Sequence, residues 1–333
     1  MTQLFKVHGS QNEFFILDQT ELTRPMSNNE LVTFTKKITD KKTGLLGGAD
    51  GVLVVDTPTR PEDLAKMRVI NKDGSEASMC GNGLRTVARY VYEKYHKDNF
   101  FVDTMNANLQ VQKRDNFTEK VPAFAVEISP VSFDPHNVGF DKLGRQRIID
   151  DYLPEIYPSL RFTSVAVPNP HLISFVDKET IEGTALGEIG QRLNDTNPYF
   201  YNGVNVNFAQ IIEKNKIFVR TFERGVGYTN ACGTGMSATS LALCLTHPDV
   251  AKFEEELTVY NPGGLVKTIV HWQDNHYHID LIGNATFTHE LELSEDDLHH
   301  QNFDNISVQE TGEQAAYEEF VASLPHFNNL TVY

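Results

Sequence analysis

Residues 78–90 read SMCGNGLRTVARY, with Cys80 directly before Gly-Asn-Gly and a run whose apolar positions have helical spacing. The passage NACGTGMSATSLA at 230–242 repeats the arrangement around Cys232, 152 residues further on. After Cys80, the residues Leu84, Val87, Ala88 and Val91 fall on one stripe of a helix. After Cys232, Met236, Ala238, Leu241, Ala242, Leu243 and Leu245 are apolar nearly all round, which predicts a buried helix. Cys244 lies inside that second helix with no glycine beside it and reads as core packing. Taken alone, one CGNG has a plain explanation: a small thiol packed at a turn whose glycines permit tight backbone angles. Two copies ask for more.

Aligned on the two cysteines, the halves match elsewhere. Arg68 and Arg220 each lie 12 residues before their cysteine, and Asn71 and Glu223 each lie 9 before. Gly51-Val-Leu-Val and Gly203-Val-Asn-Val each begin 29 before. Asn12 opens NEFFILD and Asn169 opens NPHLISFVD, 68 and 63 residues upstream. The pattern predicts strands at LFKV, FFILD, GVLVV and MRVIN, then at 100–113 and 123–129, with helices at 28–40 and after Cys80. In the second half it predicts strands at SVAV, HLISFV, VNVNF, IFVRTF, LVKTIVHW and HIDLI, with helices near 181–194 and after Cys232. The class is α+β with mostly antiparallel sheet, and the hairpin-like spacing leaves little room for helices crossing between parallel strands. The expected boundaries are an N-terminal half at 1–130, completed by a strand from about 284–294, a connection at 131–161 and a C-terminal half at 162–283. An acidic tail at 295–333, with a helical pattern at 308–324, reads as an appendage.

The chain has 333 residues, 45 acidic against 29 basic, for a net charge of −16. That balance argues against a nucleic-acid or anionic membrane surface, both of which need a basic footprint. The opening MTQLFKVHGSQNEFF lacks the basic segment and apolar run of a signal peptide, and no apolar stretch has the length of a membrane span. Three scattered cysteines make no disulfide framework, so a reducing cytoplasm is expected. No His/Cys cluster has zinc-ligand spacing, and no metal is expected.

A helix start presents unpaired backbone N–H groups and partial positive charge. It lowers the pKa of a thiol placed there and binds a carboxylate, which glycine lets approach closely. Two such starts facing each other would hold one carboxylate between two thiols. One thiolate would remove an α-proton, the helix starts would stabilise the enolate-like charge, and the other thiol would deliver a proton to the opposite face.

The motifs NKDGSEASMCGNGLRTVARY, VPNPHL, GVNVNF, ERGVGYTNACGTG, NPGGLV and LIGNA, in this order over roughly residues 1–290, resemble the diaminopimelate epimerase family. The resemblance implies two pseudo-symmetric halves, each a sheet wrapped around a central helix, with the active site in the cleft between them. It implies interconversion of LL- and meso-diaminopimelate without pyridoxal phosphate or any other cofactor, and a homodimer. Cys80 and Cys232 match the acid/base pair. Gly81, Asn82, Gly233 and Thr234 match positions whose backbone N–H groups meet the reacting carboxylate. Asn12 matches a substrate-contacting asparagine, and Asn71, Asn169, Asn205, Glu223 and Arg224 match the residues that grip the distal end. That end is itself an amino acid: Arg224 offers a planar fork for its carboxylate and Glu223 an anion for its ammonium. Without the resemblance, Glu223–Arg224 reads as an exposed ion pair, Asn12 and Asn169 as turn residues, and Asp73-Gly74 as a turn. Where the family commonly has G-E-T-L-A-C-G, this chain has Gly227-Tyr-Thr-Asn-Ala-Cys232-Gly, so Tyr228 and Asn230 depart from the pattern. The rival readings are a two-cysteine racemase acting on proline, hydroxyproline or histidine, a dithiol redox protein, and a non-catalytic binding module.

Overall fold

The chain begins with a strand, a tight turn and a second strand. β1 (Thr2–Gly9) and β2 (Asn12–Asp18) pair antiparallel, and the turn residues Ser10 and Gln11 have φ of 52° and 66°. That left-handed backbone matches the twist of a two-residue hairpin. A computed structural model describes residues 1–325, which form two units. The first joins Met1–Val126 to Ile282–Ser323, and the second is built on Glu127–Leu281.

In the first unit, Ser27 and Glu30 form a reciprocal capping box that starts α1 (Asn28–Ile38), which buries Leu31, Phe34 and Ile38. β3 (Gly51–Asp56) then pairs parallel with β2, and β4 (Ala65–Asn71) returns antiparallel, followed by the short β5 (Glu76–Ala77). α2 (Gly81–Tyr95) leads to β6 (Asn99–Asp103), which is parallel to β4; β7 (Asn108–Thr118) and β8 (Val121–Ile128) follow antiparallel. α2 packs on β1, β2, β3, β4 and β7, so the sheet wraps it.

The second unit repeats this connectivity. After α3 (Pro135–Val138), β9 (Ile148–Tyr152), β10 (Arg161–Ala166) and β11 (Pro170–Phe175) pair antiparallel in sequence. α4 (Lys178–Glu182) and α5 (Ala185–Asn194) cross to β12 (Asn205–Glu213), parallel to β11. β13 (Lys216–Glu223) and β14 (Gly227–Thr229) are antiparallel additions. α6 (Gly233–Thr246) crosses to β15 (Glu256–Asn261), parallel to β13, and β16 (Gly264–Gln273) and β17 (His276–Asn284) follow. α6 is wrapped by β10, β11, β12, β13, β15 and β16. The chain then re-enters the first unit as β18 (Thr286–Leu293) on β1, α7 (Glu295–His300), β19 (Ser307–Glu310) on β18, and α8 (Glu313–Ser323).

The sheets are mostly antiparallel, yet each unit contains two parallel pairs, β2 with β3 and β4 with β6, then β11 with β12 and β13 with β15. A helix spans each of these crossovers, so the expectation of little room for helices between parallel strands is corrected. Hairpin spacing and crossover spacing alternate along the chain, and the hairpins dominate the pattern. The strand expected over 100–113 is two strands with a turn between them. The 131–161 segment is part of the second unit: Val138, Phe140, Ile148, Leu153 and Ile156 are all buried in its core. The segment expected as an appended tail continues the first unit as far as residue 323, where Tyr317 is buried, and its helix starts at Glu313 after a strand. The last part of the expected tail, 326–333, lies outside the described residues.

Candidate active site

Cys80 is the N-cap of α2, in extended backbone, and its Sγ accepts from the Gly83 N–H at 3.4 Å. The N–H groups of Gly81 and Asn82 precede the first residue that has an intrahelical acceptor. The Cys80 thiol donates to Asn12 Oδ1 at 3.5 Å, and Asn82 Nδ2 donates to the same oxygen at 3.4 Å. Asn12 owes its orientation to Asp50, whose Oδ2 accepts from Asn12 Nδ2 at 2.7 Å and from the Glu13 N–H at 3.1 Å. Asn82 Oδ1 is buried with no partner among the described residues. Gly9 lets β1 rest on this first turn, because a Cβ there would sit 2.7 Å from the Asn82 carbonyl oxygen. Thus Cys80, Gly81, Asn82 and Asn12 come together. Asn71 ends β4 and donates from Nδ2 to Ser75 Oγ at 3.0 Å, within the turn that Asp73 and Gly74 form.

Cys232 is buried at the N-cap position of α6, with its Sγ 3.6 Å from Thr234 Oγ1. No side chain caps this helix, so the N–H groups of Gly233 and Thr234 are left for a ligand or water. Gly235 is required by space: a Cβ there would lie 2.4 Å from Asn207 Oδ1. Asn207 is held by Thr221 Oγ1 at 2.8 Å and by His171 Nδ1 at 3.1 Å, and His171 Nε2 meets Asn169 Oδ1 at 3.0 Å. Burial and the Arg224 charge push His171 down to about 3, so its ring is neutral. Asn205 is buried and its Oδ1 accepts from the Arg224 N–H at 2.8 Å.

Glu223 and Arg224 form no ion pair with each other among the described residues. Exposed Arg224 donates from Nη1 to the Asn202 carbonyl at 2.9 Å. Burial raises the Glu223 carboxyl above its ordinary range, while Thr229 and the Cys232 thiol beside it act the other way. The plain surface-pair reading is therefore corrected. Burial pushes the Cys244 thiol up to about 12, as expected of a core cysteine. Among the described residues no group of three or more His, Cys, Asp or Glu is placed to hold a metal, and no helix is long and apolar enough to cross a membrane.

The family model described as diaminopimelate epimerase matches residues 4–132 and 163–288. The chain belongs to the diaminopimelate epimerase family. A diaminopimelate epimerase of Ligilactobacillus salivarius is 55% identical over 324 residues, covering 97% of this chain and 99% of the relative. One of Enterococcus faecalis is 50% identical over 320 residues, covering 96% and 97%. Among solved structures, a Bacillus anthracis phenazine biosynthesis protein of the PhzF family is similar at a TM-score of 0.60 and 15% identity, covering 88% of this chain and 99% of that one. A probable proline racemase from Agrobacterium radiobacter K84 is similar at 0.56 and 13%, covering 97% and 100%. At such identities the likeness is one of fold.

Within the family frame, the departure at Tyr228 is a packing feature. Its ring meets Phe222 edge-on at 5.6 Å, the Arg220 guanidinium lies 5.0 Å above it, and its hydroxyl abuts Gly187 on α5. The Asn230 backbone carbonyl accepts from the Gly263 N–H at 3.0 Å, a bond that does not depend on its side chain. Sequence reasoning passed over Asp50, His171, Asn207, Thr221 and Arg85. His171 and Asn207 stand inside the quoted motifs VPNPHL and GVNVNF, and that was the available signal.

Proposed function

We propose that the protein interconverts LL- and meso-2,6-diaminopimelate by a cofactor-independent, two-thiol proton exchange. In the LL-to-meso direction, one cysteine as thiolate takes the α-proton and becomes a thiol. The charge left on the substrate is delocalised into the α-carboxylate, which the two helix starts hold. The other cysteine gives its proton to the opposite face and becomes the thiolate, so protons balance and the enzyme is left with its two protonation states exchanged. The reading requires the two thiols to flank one carbon.

The observation that carries it is a cysteine at the N-cap position of a long helix in each unit, in a chain from the diaminopimelate epimerase family. Asn82 Oδ1 offers an unpartnered acceptor for the reacting ammonium, and Gly81, Asn82, Gly233 and Thr234 offer N–H groups to its carboxylate. Asn12 orients Cys80. Asn71, Asn169, Asn205, Glu223 and Arg224 take the far amino-acid end. The activity serves lysine and peptidoglycan precursor supply, in the cytoplasm and as a homodimer.

The test is turnover of LL-diaminopimelate against proline, histidine and lysine. A site that expects a polar group rejects analogues lacking it by roughly 10⁴–10⁵-fold. Arg224→Met should lower diaminopimelate turnover severely. Comparable turnover of proline, or near-parental turnover by Arg224→Met, overturns the substrate assignment.

A further inference from the structure

Arg85 lies on α2, the helix that Cys80 caps, and is fully buried. No carboxylate pairs with it among the described residues. Nε donates to the Asn284 carbonyl at 3.2 Å, Nη2 donates to Ser10 Oγ at 3.1 Å, and Nη1 has no partner among the described residues. Two glycines make its room. A Cβ on Gly283 would lie 2.7 Å from Arg85 Cζ, and one on Gly9 would lie 2.9 Å from Nη2. The same point at Gly9 is 2.7 Å from the Asn82 carbonyl oxygen, so the guanidinium folds back to the first turn of α2.

Burying an uncompensated charge is costly for a fold. Arg89, one turn further along, shows the usual remedy: both its Nη atoms bond the Glu313 carboxylate on α8, at 2.6 and 2.7 Å. Arg85 has no such counter-ion, yet space was cleared for it on two sides.

We propose that Arg85 is a positioning residue whose buried charge stabilises the anionic state of the Cys80 helix start, meaning the thiolate and the carboxylate bound beside it. This rests on the reading of Cys80 as an acid/base group. Tyr317 and Cys80 are the groups that favour the charge on Arg85. On β1, Lys6 acts on His8 and is itself paired with Glu13 at 3.3 Å. Burial drives His8 down to about 4, with Arg85 adding to the effect, so that ring is neutral. On α8, burial raises the Tyr317 phenol, which is neutral as well. Burial lowers Arg85 itself to about 10, which leaves it charged near neutral pH, and Tyr317 and Cys80 act to hold its proton. Tyr317, edge-on to His8 at 4.7 Å, shuts water out on the α8 side.

The experiment follows alkylation of the Cys80 peptide by iodoacetamide against pH, read by mass spectrometry on the full chain without substrate. Arg85→Met, folded by circular dichroism, should move the midpoint up by about one unit, since a nearby opposite charge is worth roughly 1–3 units. Arg85→Lys should recover part of the shift, and kcat should fall more than KM rises. A folded Arg85→Met with the parental midpoint overturns the proposal. If Arg85→Met does not fold, Tyr317→Ala decides, because water admitted beside the guanidinium screens it. An upward shift there with a parental midpoint in Tyr317→Phe supports the proposal; no shift in Tyr317→Ala, or an equal shift in Tyr317→Phe, overturns it. Alkylation uses no diaminopimelate, so failure of the substrate assignment leaves this result standing.

Discussion

Replacing Gly235 by alanine drives a methyl group into the polar support of the Cys232 helix start. The new Cβ would stand 2.4 Å from Asn207 Oδ1, 3.2 Å from Thr221 Oγ1 and 3.3 Å from Cys232 Sγ. Asn207 cannot yield freely, because its Oδ1 accepts from Thr221 and its Nδ2 meets His171. Overpacking of this kind costs about 1–3 kcal/mol, and each buried hydrogen bond broken to relieve it adds about 0.5–1.5 kcal/mol net. We expect Gly235→Ala to lose about 2–4 kcal/mol by urea unfolding. The thiol must shift as well, so kcat should drop by about 10- to 100-fold, equivalent to roughly 1.4–2.8 kcal/mol of barrier. A variant within about 0.5 kcal/mol of the parent and with unchanged kcat/KM would refute the packing argument, since surface-like tolerance has that scale.

Cys244→Ala should keep most activity and cost about 1 kcal/mol, the scale of a small core deletion, whereas Cys80→Ala should abolish turnover; equal losses would overturn the core assignment of Cys244. His8 has its folded-state pKa lowered from 6.5 to about 4, so the unfolded chain binds more protons between those values and stability falls as pH drops through that window. The loss is about 3 kcal/mol and complete below pH 4, and His8→Leu should remove that part of the slope; an unchanged slope contradicts a neutral buried ring. Glu313→Ala removes both Nη partners that the carboxylate supplies and leaves Arg89 with Glu93 at 2.7 Å, so it should cost about 2 kcal/mol by urea unfolding, the scale of hydrogen bonds to a charged group, and a loss under about 0.5 kcal/mol would show that α8 is only loosely attached.

Much of the fold was legible because its signals are local. The strands are runs of β-branched and aromatic residues punctuated by Gly, Asn and Asp, the spacing of Leu31, Phe34 and Ile38 marks α1, and the apolar stripe of Leu84, Val87, Ala88 and Val91 marks α2. What escaped depends on contacts distant in sequence. Arg85 and Arg89 lie outside the apolar stripe, and only the sheet that closes around α2 shows that both are buried. Glu295, Asp296 and Asp297 make the tail look solvated, yet Tyr317 reaches His8, and Glu313 reaches Arg89 and the Phe287 N–H. The thiols were legible because glycine beside cysteine occurs twice in matching surroundings. Their polar supports were not, since Asp50 lies 38 residues from Asn12 and Thr221 lies 14 from Asn207.

The central claim is that two thiols work on opposite faces of one carbon. The most direct measurement is the reaction of LL-diaminopimelate in deuterated water, with the isotopic content of both isomers followed from the first few per cent of turnover. The account predicts solvent deuterium at the α-carbon of newly formed meso product and little in the unreacted LL substrate. Equal early labelling of substrate and product would mean that one base serves both faces, and the two-thiol mechanism would fall.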